Sequence, residues 1–179
     1  MSMRVVDFAG YLLVPGSFLA GGSLRAAIDN TEVKDFDYFF SDKQAVSGLE
    51  SKLIEKGYNV VFRCPEGRLV TLKHNEYPKA QLITEHFYKT PEDAINSFDI
   101  TASMYAYSDG KLYLGPNTLE HTAKKEIHLH TLSHPAATMK RFLKYVDKGY
   151  TLPNSTIEEY LKRVNTMTLD QQTMRFYID

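Results

Sequence analysis

The sequence predicts an α+β protein, a sheet flanked by helices and followed by a short C-terminal helical tail. Three observations predict it. Short runs such as "KDFDYFF", "YNVVFRC", "RLVTLKH" and "AQLITEHFY" read as strands separated by glycine, proline and asparagine turns. Amphipathic stretches with caps interrupt them. From Pro135 onward the pattern is helical alone. Twelve tyrosines and ten phenylalanines, with no tryptophan, add to the strand-favouring content.

Taken in order, Phe18 to Ala20 is expected to be a short buried strand. Ser23 to about Ile28 follows as a short helix begun by Ser23 after a glycine pair. Lys34 to Phe40 is the next strand. Ser41 or Asp42 caps a helix whose buried stripe is Val46, Leu49, Leu53 and Ile54, ended by Gly57. Three strands come next, with "PEG" and "NEYP" as their turns. "TPEDAINSF" is a short helix, "DITASMYAY" alternates as a strand, and "SDG" turns it into "KLYLG". In the tail, Met139, Phe142, Leu143 and Val146 form one stripe. Ser155 and Glu158 form a capping box before the stripe Ile157, Tyr160, Leu161 and Val164, and Thr168 with Gln171 starts a third helix. The expected division is a head over residues 1–133 and a helical tail over 134–179 packed on it.

The composition narrows the function. A net charge of −1 argues against a protein that coats nucleic acid by bulk electrostatics. No apolar run is long enough to span a membrane, so no membrane partner is expected. A single cysteine, Cys64, excludes an internal disulfide and fits a reducing cytoplasm.

The anomaly is the stretch "FLAGGSLRAAIDNTEVKDFDYFF", Phe18 to Phe40. It places Asp35 and Asp37 inside an apolar strand, where a carboxylate is costly unless it is paired, hydrogen-bonded or holding a metal. Two residues apart on a strand, the two carboxylates share a face, which suits a divalent cation that wants oxygen ligands. Asp99, opening an alternating strand with Thr101 and Ser103 on its face, is the best third carboxylate, and three would allow two metals. Gly21 and Gly22 allow close backbone approach, the helix amides attract phosphate, and Ser23 adds a hydroxyl donor. Either piece alone reads as ordinary; the order strand, GGS, helix, DxD strand and later aspartate favours the functional reading.

Two further features carry weaker signals. Lys140, Lys144 and Lys148, with Arg141, form a basic ridge that would contact triphosphate or an RNA backbone, or simply face solvent. His128 and His130 share an expected strand face, and no cysteine or carboxylate completes a zinc set, so they read as ordinary strand histidines.

The first motif resembles that of the nucleotidyltransferase (DNA polymerase β) superfamily, and within it the head domain of class II tRNA nucleotidyltransferases and poly(A) polymerases. Gly21, Gly22, Leu24, Arg25, Lys34, Asp35 and Asp37 fall in the order and spacing of that pattern. "FDITASMYAY" is similar to the family's second motif, and "HPAATMKRFLKY" loosely to a third. Ala26, Phe98 and Ser103 depart from it, at positions where the family carries aspartate, arginine and asparagine. The base and ribose preference is therefore not carried over. The likeness covers roughly residues 15 to 150 and looks like a minimal head domain, of the kind small phage genomes carry.

The resemblance implies a nucleotidyltransferase-like mixed sheet and a Mg²⁺-dependent enzyme, with Mn²⁺ as a substitute. It would move a nucleoside monophosphate from an NTP such as ATP to an acceptor hydroxyl and release pyrophosphate. Asp35, Asp37 and Asp99 would be the catalytic metal ligands. Gly21, Gly22, Ser23, Arg25, Thr101, Arg141 and Lys144 would serve nucleotide binding, Arg25 either bracing its loop or touching phosphate. The acceptor implied first is an RNA 3′ end, tRNA included, and next a protein side chain. The alternative is a binding module on the same fold that does no chemistry.

Overall fold

The computed structural model describes residues 2–168. The chain forms two compact units: one takes the residues up to Ile95 together with Tyr105–Gly115, the other takes Asn96–Met104 together with the chain from Pro116 onward. The chain is thus divided along a different line from 133/134. The helices after Pro135 share a unit with residues 96–104 and 116–132.

The first unit holds a seven-stranded mixed sheet, in keeping with the expected α+β class. Its strands are β1 (Ser17–Ala20), β2 (Asp35–Phe40), β3 (Asn59–Arg63), β4 (Leu69–Lys73), β5 (Lys79–Ile83), β6 (Tyr105–Ser108) and β7 (Lys111–Leu114). Their order is β3-β4-β5-β2-β1-β6-β7. β2 and β5 run parallel, and every other neighbouring pair is antiparallel. The parallel pair exists because α3 (Lys43–Glu55) and the β3–β4 hairpin carry the chain from β2 round to β5.

Alternation along β2 decides which face is core. Phe36, Tyr38 and Phe40 are fully buried and cluster with Leu19, Leu72, Ala80 and Leu82. Helices cover that face: Val6 and Ala9 from α1 (Ser2–Tyr11), with Leu12 just after it, Leu24 from α2 (Gly22–Asp29), and Ala45, Leu49 and Leu53 from α3. The Tyr38 hydroxyl donates to the Ala9 carbonyl at 2.9 Å, so this polar atom in the core is satisfied. Burial raises its pKa well above the usual tyrosine value. α1 was not expected from the sequence; its apolar residues are spaced for this contact.

Several local expectations change. α2 begins at Gly22 with Gly21 as its N-cap, so Ser23 is inside the helix and caps nothing. Asp42 caps α3 by accepting from the Ala45 amide at 2.8 Å. Its stripe is Ala45, Leu49 and Leu53, with Val46 partly buried and Ile54 exposed. "DITASMYAY" is not one strand: Thr101–Ser103 is a 3-10 turn, and the strand starts only at Tyr105.

The second unit has its own apolar centre of Ile100, Ala102, Ile127, Phe142, Tyr145, Tyr150 and Tyr160. Its helices are α5 (Thr118–Lys124), which the sequence reading passed over, α6 (Pro135–Asp147) and α7 (Asn154–Asn165); α4 (Pro91–Asn96) precedes it. α6 buries Thr138, Phe142 and Tyr145, while Leu143 and Val146 face outward; the stripe is one residue out of phase with the expected one. On α7, Thr156 and Tyr160 are buried and Ile157 and Leu161 exposed, and Pro153 sits at the N-cap, so no Ser155–Glu158 capping box forms. The third helix expected from Thr168 and Gln171 lies outside the described residues.

The two α3 positions give a direct check. Leu49→Ala should destabilise the protein by about 2–5 kcal/mol, and Ile54→Ala should stay within about 0.5 kcal/mol of wild type. Urea unfolding of both variants would test this; equal losses would mean that α3 docks with a different face.

Candidate functional site

The site residues of the first unit gather at the end of β1. Ala20 pairs with Asp37 across the antiparallel β1–β2 ladder, so Gly21 and Gly22 follow directly beside that carboxylate. Gly21 has φ +81°, a conformation that favours glycine, and its amide donates to the Tyr105 carbonyl at 2.9 Å. This bond turns the chain out of the sheet and starts α2. A Cβ at Gly22 would meet nothing within 4 Å, so the backbone there is open to an incoming group. Ser23 is buried, and its Oγ has no hydrogen-bond partner among the described residues. Open backbone at a helix N-terminus and a hydroxyl with no partner among the described residues fit a phosphate, while the neighbouring carboxylate would need a cation between it and that phosphate.

Arg25 makes contacts within its own helix and loop. It is 2% exposed, pairs with Asp29 one helical turn on, and donates to Thr31 Oγ1 at 3.2 Å. Asp29 also accepts from the Thr31 amide and hydroxyl. Asn30 then reverses the chain in the left-handed region. This knot fixes the link between α2 and β2, and so the distance between the glycine turn and the carboxylates.

Asp35 and Asp37 lie on the face of β2 opposite the apolar core, both partly exposed. Asp35 pairs with Lys79 of β5 at 3.3 Å, its partner in the parallel register. Asp37 is in register with Gln81, and Gln81 with Thr71 of β4. Gln81 and Thr71 are both 8% exposed. Thr71, Gln81 and Asp37 thus form a polar row across three strands. Sequence reasoning missed Gln81 and Lys79. The signal was there in "KAQLIT", a glutamine inside an apolar run, the same kind of anomaly that drew attention to Asp37.

The remaining expected residues belong to the second unit. Asp99 is not on a strand of the sheet, contrary to its expected place on a neighbouring strand. Its Oδ2 accepts from Thr138 at 2.6 Å and from Arg141, both on α6. Arg141 therefore answers Asp99, a pairing the sequence reading did not foresee. Lys144, one turn further on, is half-buried. Among the described residues no three His, Cys, Asp or Glu side chains cluster so as to hold a metal ion.

Thr101 is buried, and its hydroxyl lies 2.7 Å from His121 Nδ1. The His121 ring stacks on His128 at 3.8 Å, and His128 Nε2 lies 2.7 Å from Glu126 Oε2. His128 and His130 do not share a strand: residues 128–130 meet the rest of the unit through a lone Ile100–Leu129 bridge and backbone bonds such as His130 N to Asp99 O.

The fold is nucleotidyltransferase-like. A CCA-adding enzyme solved with CTP superposes with a TM-score of 0.72 at 12% identity, covering 95% of this chain and 45% of that one. A tRNA nucleotidyltransferase solved with a primer tRNA and an incoming ATP analog gives 0.63 at 20% identity, over 97% and 52%. The CCA-adding enzyme of Thermotoga maritima, solved with tRNA, gives 0.62 at 14% identity, over 83% and 37%.

The chain belongs to the Gabija anti-defense 2 (Gad2) family, whose model matches residues 8–125. Gabija anti-defense 2 of Bacillus phage SPbetaL7 is 30% identical over 140 residues, which are 76% of this chain and 34% of the relative. The chain thus spans about a third of that relative's length and about half of the solved neighbours'. The phage relative fits the phage-type expectation. No described helix is long and apolar enough to cross a membrane.

The histidine pair yields a pH prediction. Burial first, and the neighbouring His128 second, lower the His121 pKa below its ordinary 6.5, against the opposing pull of Glu120 and Glu126. The unfolded chain then binds more protons, so stability held above about pH 6.5 is lost as pH falls through that value and below. His121→Gln should flatten this acid-side decline in thermal melts, and an unchanged slope would remove His121 as its source.

Proposed function

We propose that the chain is a Mg²⁺-dependent nucleotidyltransferase that moves a nucleoside monophosphate from an NTP to an acceptor hydroxyl. The observation that carries this reading is the register of Ala20 with Asp37, which sets an open glycine turn and an orphaned Ser23 hydroxyl beside two carboxylates. In this reading Asp35 and Asp37 hold a divalent cation, Mg²⁺ or Mn²⁺, which when bound screens phosphate charge and favours the ionised acceptor. The α2 amides and Ser23 Oγ–H donate to phosphate oxygens. Arg25 keeps the turn and the carboxylates in place through Asp29 and Thr31. Within the second unit, Asp99 is tied to Thr138 and Arg141.

The acceptor is the finer part of the proposal. The solved neighbours include a tRNA nucleotidyltransferase with a primer tRNA and a CCA-adding enzyme with tRNA, as their names state, which supports an RNA 3′ hydroxyl as acceptor. The family name sets its members against the Gabija defence, which supports a component of that defence as an acceptor. A second reading, a module that binds nucleotide or a defence protein without chemistry, is favoured by one observation. Asp35 is held by Lys79 and Asp99 by Arg141, so two of the three expected carboxylates already have cationic partners.

Label transfer separates these. The protein is incubated with Mg²⁺ and each α-labelled NTP, with total RNA or with Gabija proteins as acceptor. Label on either acceptor, reduced at least about a hundredfold by Asp37→Asn, is the expected result. Tight NTP binding with no transfer to either acceptor would favour the binding module.

A further inference from the structure

Gln81 is the buried polar group that the reading above does not use. It is 8% exposed, and its Oε1 is buried with no hydrogen-bond partner among the described residues. An unpaired amide oxygen destabilises a fold, and its retention calls for a donor brought by a ligand. Register sets the face it stands on. Phe62 of β3 is opposite Thr71 of β4, Thr71 is opposite Gln81, and Gln81 is level with Asp37, so all four share the face of the candidate cation site. Phe62 is there because of a bulge. Val60 packs against the core, and plain alternation would return Phe62 to that side. The register shift between Val60 and Phe62 turns it to the open face instead, while Arg63 reaches Glu50 of α3 on the helix side. The Phe62 side chain is 49% exposed. Lys73, two residues after Thr71, is exposed on the same face.

We propose that the strip from Gln81 through Thr71 to Phe62 seats a single-stranded RNA acceptor: Phe62 stacks on a base, Lys73 meets the phosphate backbone, and Gln81 Oε1 accepts from a ribose 2′-hydroxyl. The inference rests on the nucleotidyl-transfer reading given above and names the residues that select its acceptor. An acceptor oxygen without a partner needs an O–H or N–H donor, and the 2′-hydroxyl supplies one that DNA lacks. Stacking on an aromatic ring tolerates any base, and a lysine at the backbone holds the strand without reading it. Such a strip works locally, so it is compatible with a net charge of −1. Three strand spacings, about 14 Å, separate Phe62 from the carboxylate strand. The ring therefore serves a nucleotide behind the reacting 3′ end and not the end itself. A peptide acceptor would dock best by adding a strand to the outer edge of β3, and the bulge breaks that edge. A strand of stacked bases needs only the face.

Fluorescence anisotropy of the full chain, with no NTP present, tests this. The probes are a labelled single-stranded RNA, the DNA of the same sequence, and RNAs with one 2′-deoxy sugar at each of the last few positions in turn. The wild type should hold the RNA roughly tenfold tighter than the DNA, with one deoxy position accounting for most of the difference. Gln81→Leu should lower RNA binding to the DNA level, leave DNA binding unchanged and make every deoxy position neutral. Its Tm should hold or rise, because a buried unpaired acceptor is removed. Phe62→Ala should weaken RNA and DNA alike by roughly tenfold. Discrimination between RNA and DNA that survives Gln81→Leu, or binding that survives Phe62→Ala, overturns the inference. Label transfer to a protein acceptor by a chain that binds neither polynucleotide also overturns it, and leaves the nucleotidyl-transfer reading standing. The expected binding pattern with no label transfer from any NTP supports the RNA seat and overturns the transfer reading. A chain that binds neither polynucleotide and transfers nothing overturns both.

Discussion

β2 sits in the middle of the sheet and must do two incompatible things. One of its faces has to be dry enough to seat three helices, and the other has to present carboxylates that would be ruinous in such a core. Period-two alternation resolves the conflict, because Phe36, Tyr38 and Phe40 go one way and Asp35 and Asp37 the other. A slip of one residue would drive both aspartates under α1 and α3. The register is guarded on both sides: β1 pairs with β2 over four residues, and β5 pairs with it over four more. The core and the site are thus set by one hydrogen-bonding pattern, so a change that loosens the apolar face also misplaces the carboxylates.

The glycine turn depends on the same pattern. β1 ends where Ala20 meets Asp37, and the Gly21 amide is anchored on β6 through the Tyr105 carbonyl. Only then does α2 begin, with its amides emerging next to the carboxylate. Arg25 closes the loop from the other side. Its guanidinium is buried within α2 and spent on Asp29 and Thr31, so the segment between the turn and β2 has little freedom. A charged residue is used here for positioning, because a buried arginine is tolerable only with its partners close by. The glycine turn thereby gains a frame from Arg25, Asp29 and Thr31.

Much of this was legible in the sequence. The glycine pair, the DxD alternation and the flanking apolar residues pointed to a strand–turn–helix–strand unit, and the chain builds one. What could not be read was long-range. Asp99 looked like a strand residue because "DITASMYAY" alternates, but alternation cannot distinguish a strand from a 3-10 turn that enters one. Its partners Thr138 and Arg141 lie some forty residues away, and no local pattern joins them to it. The α6 stripe was misjudged for a related reason. Leu143 and Val146 are the more apolar pair, yet Thr138 and Tyr145 are buried, because a threonine bonded to Asp99 and a tyrosine packed on Tyr150 can be accommodated inside. Hydrophobicity ranks residues by transfer from water and is blind to a polar partner already waiting in the interior.

The Asp99 pairing shows one way a largely buried carboxylate is compensated. A buried carboxylate needs compensation, and metal ions and arginines are interchangeable in that respect but not in chemistry. In this chain Arg141 and Thr138 compensate Asp99, fastening the 96–104 segment to α6 and thereby helping to hold the second unit's core together. On β2, Lys79 compensates Asp35 only partly, since both side chains remain accessible to water and the pair can open at small cost. A carboxylate held by a solvated lysine can exchange that partner for a ligand, which is what the proposed cation site on β2 requires.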